Sequence, residues 1–328
     1  MKNKNLKLVI ILSIVILSLI FLYALNLESK NSNLTTAHFI SETIIVESFP
    51  IGISINPITN TVYITNNHSD TVSVIDGKTN LVKDEIKVGD GPTGISVNPK
   101  TNMIYVTNYY SDTVSVIDGK TNLVVKEIPV DNTPWGIDVD SENNIVYITN
   151  YFSNTISIID EARNGMITTL KTDKPWGIDV DSETGYVFVV NRDSTNISIL
   201  KDNKIQNLAI NETPIRISPF DISYNEKTNL LYVTNSSLIS IIDMSTNKIL
   251  EPISVGNNLA GITINPETNT VYASDIVNDV LYIIDGNTNA LKEELKVGDH
   301  PISVEINPIT NTIYVVNEYS NSISVISN

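Results

Sequence analysis

The sequence predicts an all-β chain: a seven-bladed β-propeller with four-stranded blades, an N-terminal strand that closes the last blade, and one N-terminal transmembrane helix ahead of it. Three observations carry that expectation. A version of Tyr-Val-Thr-Asn recurs seven times, beginning at Tyr63, Tyr105, Tyr147, Phe188, Tyr232, Tyr272 and Tyr314, with spacings of 42, 42, 41, 44, 40 and 42 residues. A period of that length, written in strand-type residues, marks units that cannot bury their own faces and must stack on their neighbours. Each unit divides into four short apolar stretches between turn signals, the make-up of a propeller blade. The start of the chain differs, with no charge from Leu8 to Leu25.

Taken in order, Lys2, Lys4 and Lys7 make residues 1–7 a basic tail. The uncharged run that follows is just long enough, as a helix, to cross a hydrocarbon core, so residues 8–27 read as a membrane anchor or export signal. The lysines favour a cytoplasmic N-terminus, which puts the propeller outside the cell. A cleaved signal has a shorter apolar run, of about seven to fifteen residues, and a small-x-small site. Leu22-Tyr23-Ala24 supplies no such site, so a retained single-pass anchor is expected, with a secreted, processed chain as the alternative. Residues 28–41 read as a polar stalk and 42–328 as the propeller.

The second copy displays the unit. Pro92 to Asn98 is the innermost strand, A; Met103 to Asn108 is B; Thr113 to Asp118 is C; and Leu123 to Val130 is D. Asn98-Pro-Lys-Thr-Asn102 turns A into B, and Asp118-Gly-Lys-Thr-Asn122 turns C into D. Pro presets one turn angle, and Gly or Asn accepts positive φ. Strands B and C are apolar almost continuously, as expected of sheets covered on both faces. Two copies are degenerate: Phe188-Val-Val-Asn191, whose C–D turn is short, and Tyr272-Ala-Ser-Asp275. The last copy stops after its third strand, while Thr43-Ile-Ile-Val46 aligns at an offset of 42 with Glu85-Ile-Lys-Val88. The N-terminal strand is therefore expected to complete blade seven and remove an open edge.

Composition narrows the function classes. With 37 acids against 21 bases the net charge is −16, and no basic stripe exists to neutralise phosphates, so nucleic acid is not an expected partner. The absence of cysteine removes disulfides, thiolate metal sites and cysteine nucleophiles. Histidine occurs only at 38, 68 and 300. His68 and His300 fall on one rim in neighbouring blades, which allows a shared site or simply two solvated loop residues. No nucleophile elbow, phosphate loop or zinc motif is present. No catalytic residue is assigned and no cofactor is expected.

The segments Pro92-x-Gly94-Ile95, Asn98-Pro99-x-Thr101-Asn102, Tyr105-Val106-Thr107-Asn108 and Val114-Ser115-Val116-Ile117-Asp118, with their six relatives, resemble the YVTN family of β-propeller repeats over about residues 42–328. The resemblance implies a surface-layer or cell-envelope protein: a non-enzymatic binding or structural module whose partners are other envelope proteins or glycans, or further copies of itself. It leaves open an alternative, an exported propeller enzyme of lyase or lactonase type or a redox-associated propeller.

Strand A is expected to line the axis, with the D–A and B–C loops on one rim, where propeller ligands usually meet the ring. Between the Pro and Gly positions stand Ile51, Thr93, Trp135, Trp176, Phe220, Ala260 and Ile302, so consecutive blades three to five carry the large aromatics. The B–C loops of blades two and three add Tyr109, Tyr110, Tyr151 and Phe152, and blades four and five add Arg192 and Arg216. Aromatics with arginines suit the anchoring of a glycan or a protein, although tryptophans near an axis also serve simply as packing. Two residues beyond the Gly position come Ser54, Ser96, Asp138, Asp179, Ser223, Thr263 and Glu305. The pairs Asp138/Asp140 and Asp179/Asp181 could offer oxygens to Ca²⁺, yet lack the glycine and distal glutamate of a calcium loop; solvated acids and turn residues are the better account. Of the glycosylation sequons at Asn33, Asn67, Asn196, Asn211 and Asn235, those at 67, 211 and 235 are expected in rim loops.

Overall fold

The computed structural model describes residues 37–163, 165–194, 196–209 and 219–327. The anchor expected at 8–27 lies outside them, as do Arg216, Asn33 and Asn211; among the described residues no helix is long and apolar enough to cross a membrane. Seven antiparallel sheets are present, each ordered A-B-C-D from the inside outwards. The A strands are Pro50–Asn56, Pro92–Asn98, Pro134–Asp140, Pro175–Asp181, Pro219–Asn225, Leu259–Asn265 and Pro301–Asn307. Blade seven takes its outer strand from Phe39–Ile45, which pairs with Ser322–Ser327 in a register that includes Thr43 opposite Ser324. Blade five departs from the rule: Glu251-Pro252 interrupts its D strand, leaving Lys248–Ile249 and Ile253–Ser254 as two short pieces.

The hairpins turn where expected. Asn60, Asn102, Asn144, Asn229, Asn269 and Asn311 hold positive φ in the A–B turns, and Asn80, Asn122, Asn247 and Asn289 do so in the C–D turns. The shortened C–D turn of blade four holds Asp202 and Asn203 at φ 50° and 57°, the two consecutive left-handed residues of a type I′ hairpin.

The core is seven seams rather than one centre. Each motif aromatic packs across a seam: Tyr63, 1 % exposed, lies with Val72 and Val74 of its own blade against Ile95, Ile104 and Val106 of the next, and Tyr105 and Tyr232 repeat this arrangement. The motif Thr joins the inner strands. Thr107 Oγ1 accepts from Gly94 N at 2.8 Å and donates to the Trp135 carbonyl of the next blade at 2.8 Å, as Thr65 and Thr149 do between their blades. The glycine is required by that approach, because a Cβ on Gly94 would sit 2.4 Å from the Trp135 carbonyl oxygen. The motif Asn fixes the B–C hairpin, Asn108 Nδ2 reaching Thr113 Oγ1 and Ser115 Oγ at 2.9 and 2.8 Å.

Thr107→Val keeps the shape but strands Gly94 N in the interior and leaves the Trp135 carbonyl only the longer bond from Thr93 Oγ1 at 3.3 Å. It is expected to lower the unfolding free energy by about 2 kcal/mol, whereas Thr121→Val, in an exposed turn, is expected to stay within about 0.5 kcal/mol of the parent. Chemical denaturation of the two variants checks this; equal midpoints would remove the motif hydroxyl from the ring's stability.

Candidate functional site

Both tryptophans stand at one position of adjacent A strands, so the ring geometry brings them together. Trp135 stacks on Trp176 with centroids 3.9 Å apart. Tyr109 meets Trp135 edge-on at 6.0 Å, Tyr151 meets Trp176 edge-on at 5.2 Å, and Phe220 adds a further edge contact to Trp176 at 6.1 Å. The Arg192 guanidinium lies 4.0 Å above the Trp176 ring, and Lys174 Nζ lies 4.8 Å from the Tyr151 centroid. Tyr151 donates its hydroxyl to Asp193 at 3.1 Å, and burial followed by that carboxylate pushes its pKa up. The sequence-selected rim residues thus form one continuous cluster, apart from Arg216, which lies outside the described residues.

Burial separates their roles. Trp176 is 6 % exposed and Trp135 half-buried, so they form the floor, while Tyr110 and Phe152, 65 % and 59 % exposed, stand on the outer surface. A second group of rings lies at the closure seam. His68 stacks on Phe49 at 4.1 Å, Phe49 touches Tyr319 at 5.8 Å, and Tyr319 stacks on His300 at 4.1 Å. Each imidazole therefore has an aromatic ring against its face. His300 Nδ1 also pairs with the buried Glu318 carboxylate. Burial pushes Glu318 up to about 7 and holds His300 below its ordinary value. The sequons at Asn67 and Asn235 do not present accessible amides as expected, because both are buried and Asn67 Nδ2 donates to the Pro92 carbonyl.

Inside the ring the acids divide by position. Asp140 and Asp181 cap their A–B turns: Asp140 Oδ1 accepts from the backbone N of Glu142 and Asn143, and Asp181 Oδ1 from those of Glu183 and Thr184. Elsewhere the same place is held by Asn, whose amide crosses to the next blade, as Asn56 does to Asn102 at 2.6 Å and Asn307 to Asn60 at 2.8 Å. Asp138 and Asp179 instead line the bore, a cavity of about 280 Å³, together with Glu305 and Asp221. Three stitch blades together. Asp138 takes Val180 N at 2.8 Å, Asp179 takes Tyr224 N at 2.6 Å and Asp221 takes Ile262 N at 3.1 Å. Burial pushes Asp138 and Asp221 up to about 6 and Glu305 to about 8, and raises Asp179 well above its ordinary range with help from the Asp138 charge. Among the described residues no three carboxylates or imidazoles are close enough to share a metal ion.

Asp221 escapes a column-by-column reading, because it stands at the Gly position rather than two residues beyond it. The visible signal is that this column reads Gly52, Gly94, Gly136, Gly177, Asp221, Gly261 and Ser303, with a single charge in it.

No family model matches the chain, and no curated protein matches it. Solved structures do. Hydrazine synthase of Kuenenia stuttgartiensis superposes with a TM-score of 0.78 at 21 % identity, over 88 % of this chain and 99 % of that one. A streptogramin B lyase superposes at 0.76 and 15 % identity, over 88 % of this chain and 97 % of its own. These likenesses define the class, a seven-bladed β-propeller, and extend to the fold alone; the resemblance to the YVTN repeats rests on the motifs themselves.

Proposed function

We propose that the chain is a non-enzymatic recognition module of the cell envelope, presenting its aromatic rim to an envelope protein or glycan. The observation that carries this reading is the two-layer rim: a stacked Trp135/Trp176 floor held by Tyr109, Tyr151 and Arg192, with Tyr110 and Phe152 exposed above it. Buried aromatics make a rigid base, and exposed ones supply apolar area at low entropic cost, the combination that concentrates binding energy at an interface. The uncharged run at Leu8–Leu25 supports the envelope setting.

The test uses exposed residues, so that binding and folding do not change together. The full-length chain and its Tyr110→Ser/Phe152→Ser variant are applied to immobilised envelope glycans and envelope proteins. The parent is expected to retain a partner that the variant holds at least about tenfold more weakly. Equal retention by both would take the rim out of recognition.

A further inference from the structure

We propose that the bore, which shares Trp135 and Phe220 with the rim cluster, is a second binding site, for a small organic ammonium ion. Asp138, Asp179, Asp221 and Glu305 line it, and among the described residues none of the lining side chains is basic. The hydrogen bonds within the protein do not exhaust these acids. Asp179 uses Oδ2 for Tyr224 N, and Glu305 uses Oε1 for the N–H of its own neighbour Ile306 at 3.2 Å. No hydrogen bond within the protein uses Asp179 Oδ1 or Glu305 Oε2, and both residues line the cavity.

An independent observation comes from a neutral residue. Thr263 lines the same cavity, is only 8 % exposed, and its hydroxyl makes no hydrogen bond to the protein. The fully buried motif threonines, such as Thr65 and Thr107, are bonded on both sides. A hydroxyl without a protein partner on a largely buried residue, sharing one cavity with two unused carboxylate oxygens, is a donor–acceptor set suited to a group that is not part of the chain.

The chemistry of that group follows. It is cationic, because the lining is acidic. Among the described residues no three carboxylates are grouped as a metal ion would need, whereas an ammonium group binds through separate N–H donors to one or two acceptors at ordinary hydrogen-bond lengths. Trp135 and Phe220 form part of the wall and offer ring faces to a cation or its aliphatic body. The volume of about 280 Å³ limits the guest to a small molecule.

The probe is 1,4-diaminobutane, with uncharged 1,4-butanediol as control, titrated calorimetrically into the full-length chain at pH 7. The diamine is expected to bind with Kd below about 1 mM and the diol not at all. Since burial raises the bore carboxyls, binding is expected to release protons, read as a heat that changes with the ionisation enthalpy of the buffer. Glu305→Gln and Asp179→Asn each keep the bonded oxygen and neutralise the open one, and each is expected to weaken binding at least tenfold. Tyr110→Ser/Phe152→Ser is expected to leave it unchanged. Absence of binding, or unaltered affinity in folded Glu305→Gln and Asp179→Asn, would overturn the proposal. Should neither variant fold, binding by the parent without proton release would do the same.

Discussion

Thermal unfolding is expected to come latest near pH 5 and progressively earlier as the pH rises to 9, the reverse of a protein held together by ionised carboxylates. The cause is the bore. Asp138 and Asp221, pushed up to about 6, and Glu305, pushed up to about 8, hold protons in the folded ring that the unfolded chain releases near pH 4. Asp179, whose pKa is also raised, and Glu318, pushed up to about 7, act in the same sense. Where the native state binds more protons, stability falls as pH rises. The contribution is complete below the unfolded values and is lost as pH climbs through 6 to 8. A shift of one pKa unit corresponds to about 1.4 kcal/mol, so the total loss is on the order of several kcal/mol, the groups being too close together to add independently.

Two opposing effects set the acid limit. Asp70 and Asp285 are held below their ordinary values, by the Gly91 N–H and by Lys292 respectively, and their stabilisation is lost only as pH falls below about 4. His300, kept neutral by burial, is destabilising once pH falls below its ordinary value of 6.5. One imidazole against five raised carboxyls leaves the maximum on the acid side of neutrality. Glu305→Gln with Asp179→Asn removes two of those carboxyls without removing a used hydrogen bond. It is expected to flatten the profile between pH 6 and 9 and to raise the melting temperature at pH 8. A parent profile that is flat over that range, or a variant with the parent's slope, would show that the bore acids do not couple to stability.

The blade count, the four-strand unit and the closing strand were legible because they are properties of spacing. A one-residue slip turns every side chain to the other face, so the repeats preserve register and the register can be counted. The interblade roles of the motif Thr and of the strand-A Asn were not legible, because those partners sit in the next blade. Asn56 reaches Asn102, 46 residues on, and Thr107 reaches a backbone carbonyl that carries no side-chain signature. The columns grouped aromatics that the ring brings into contact, yet the division between a Trp176 that packs and a Phe152 that stands exposed required burial to be seen. Asp138 and Asp140 look alike in sequence; one hydrogen-bonds across a blade seam and the other caps a turn. Asp221 was hidden by standing in a glycine column.

Deleting residues 42–48 is expected to cost at least about 5 kcal/mol and to convert the chain to an aggregating or strand-exchanged species. Within Phe39–Ile45 the side chains are mostly exposed, but Ile44 is 5 % exposed, and with the adjacent Val46 it joins the seam cluster between blades seven and one, against Ile53, Ile55, Tyr314 and Val325. Burial of two such side chains contributes about 1.5–3 kcal/mol each, and the ladder to Ser322–Ser327 would be lost as well. The exposed edge would then be Ser322–Ser327, in which Ile323 and Val325 are otherwise fully covered, an unpaired apolar strand of the kind that recruits another chain. The graded form of the experiment stays within one strand: Ile44→Ala is expected to cost about 2–4 kcal/mol, and Ile45→Ala, where the side chain is 69 % exposed, less than about 0.5 kcal/mol. A peptide of residues 37–48 added to the truncated chain is expected to restore its melting temperature, because the acceptor edge is preformed by the other two strands of blade seven. A truncated chain that melts with the parent, or Ile44→Ala and Ile45→Ala of equal cost, would mean that the ring is held by its interblade seams alone and that the N-terminal strand only covers an edge.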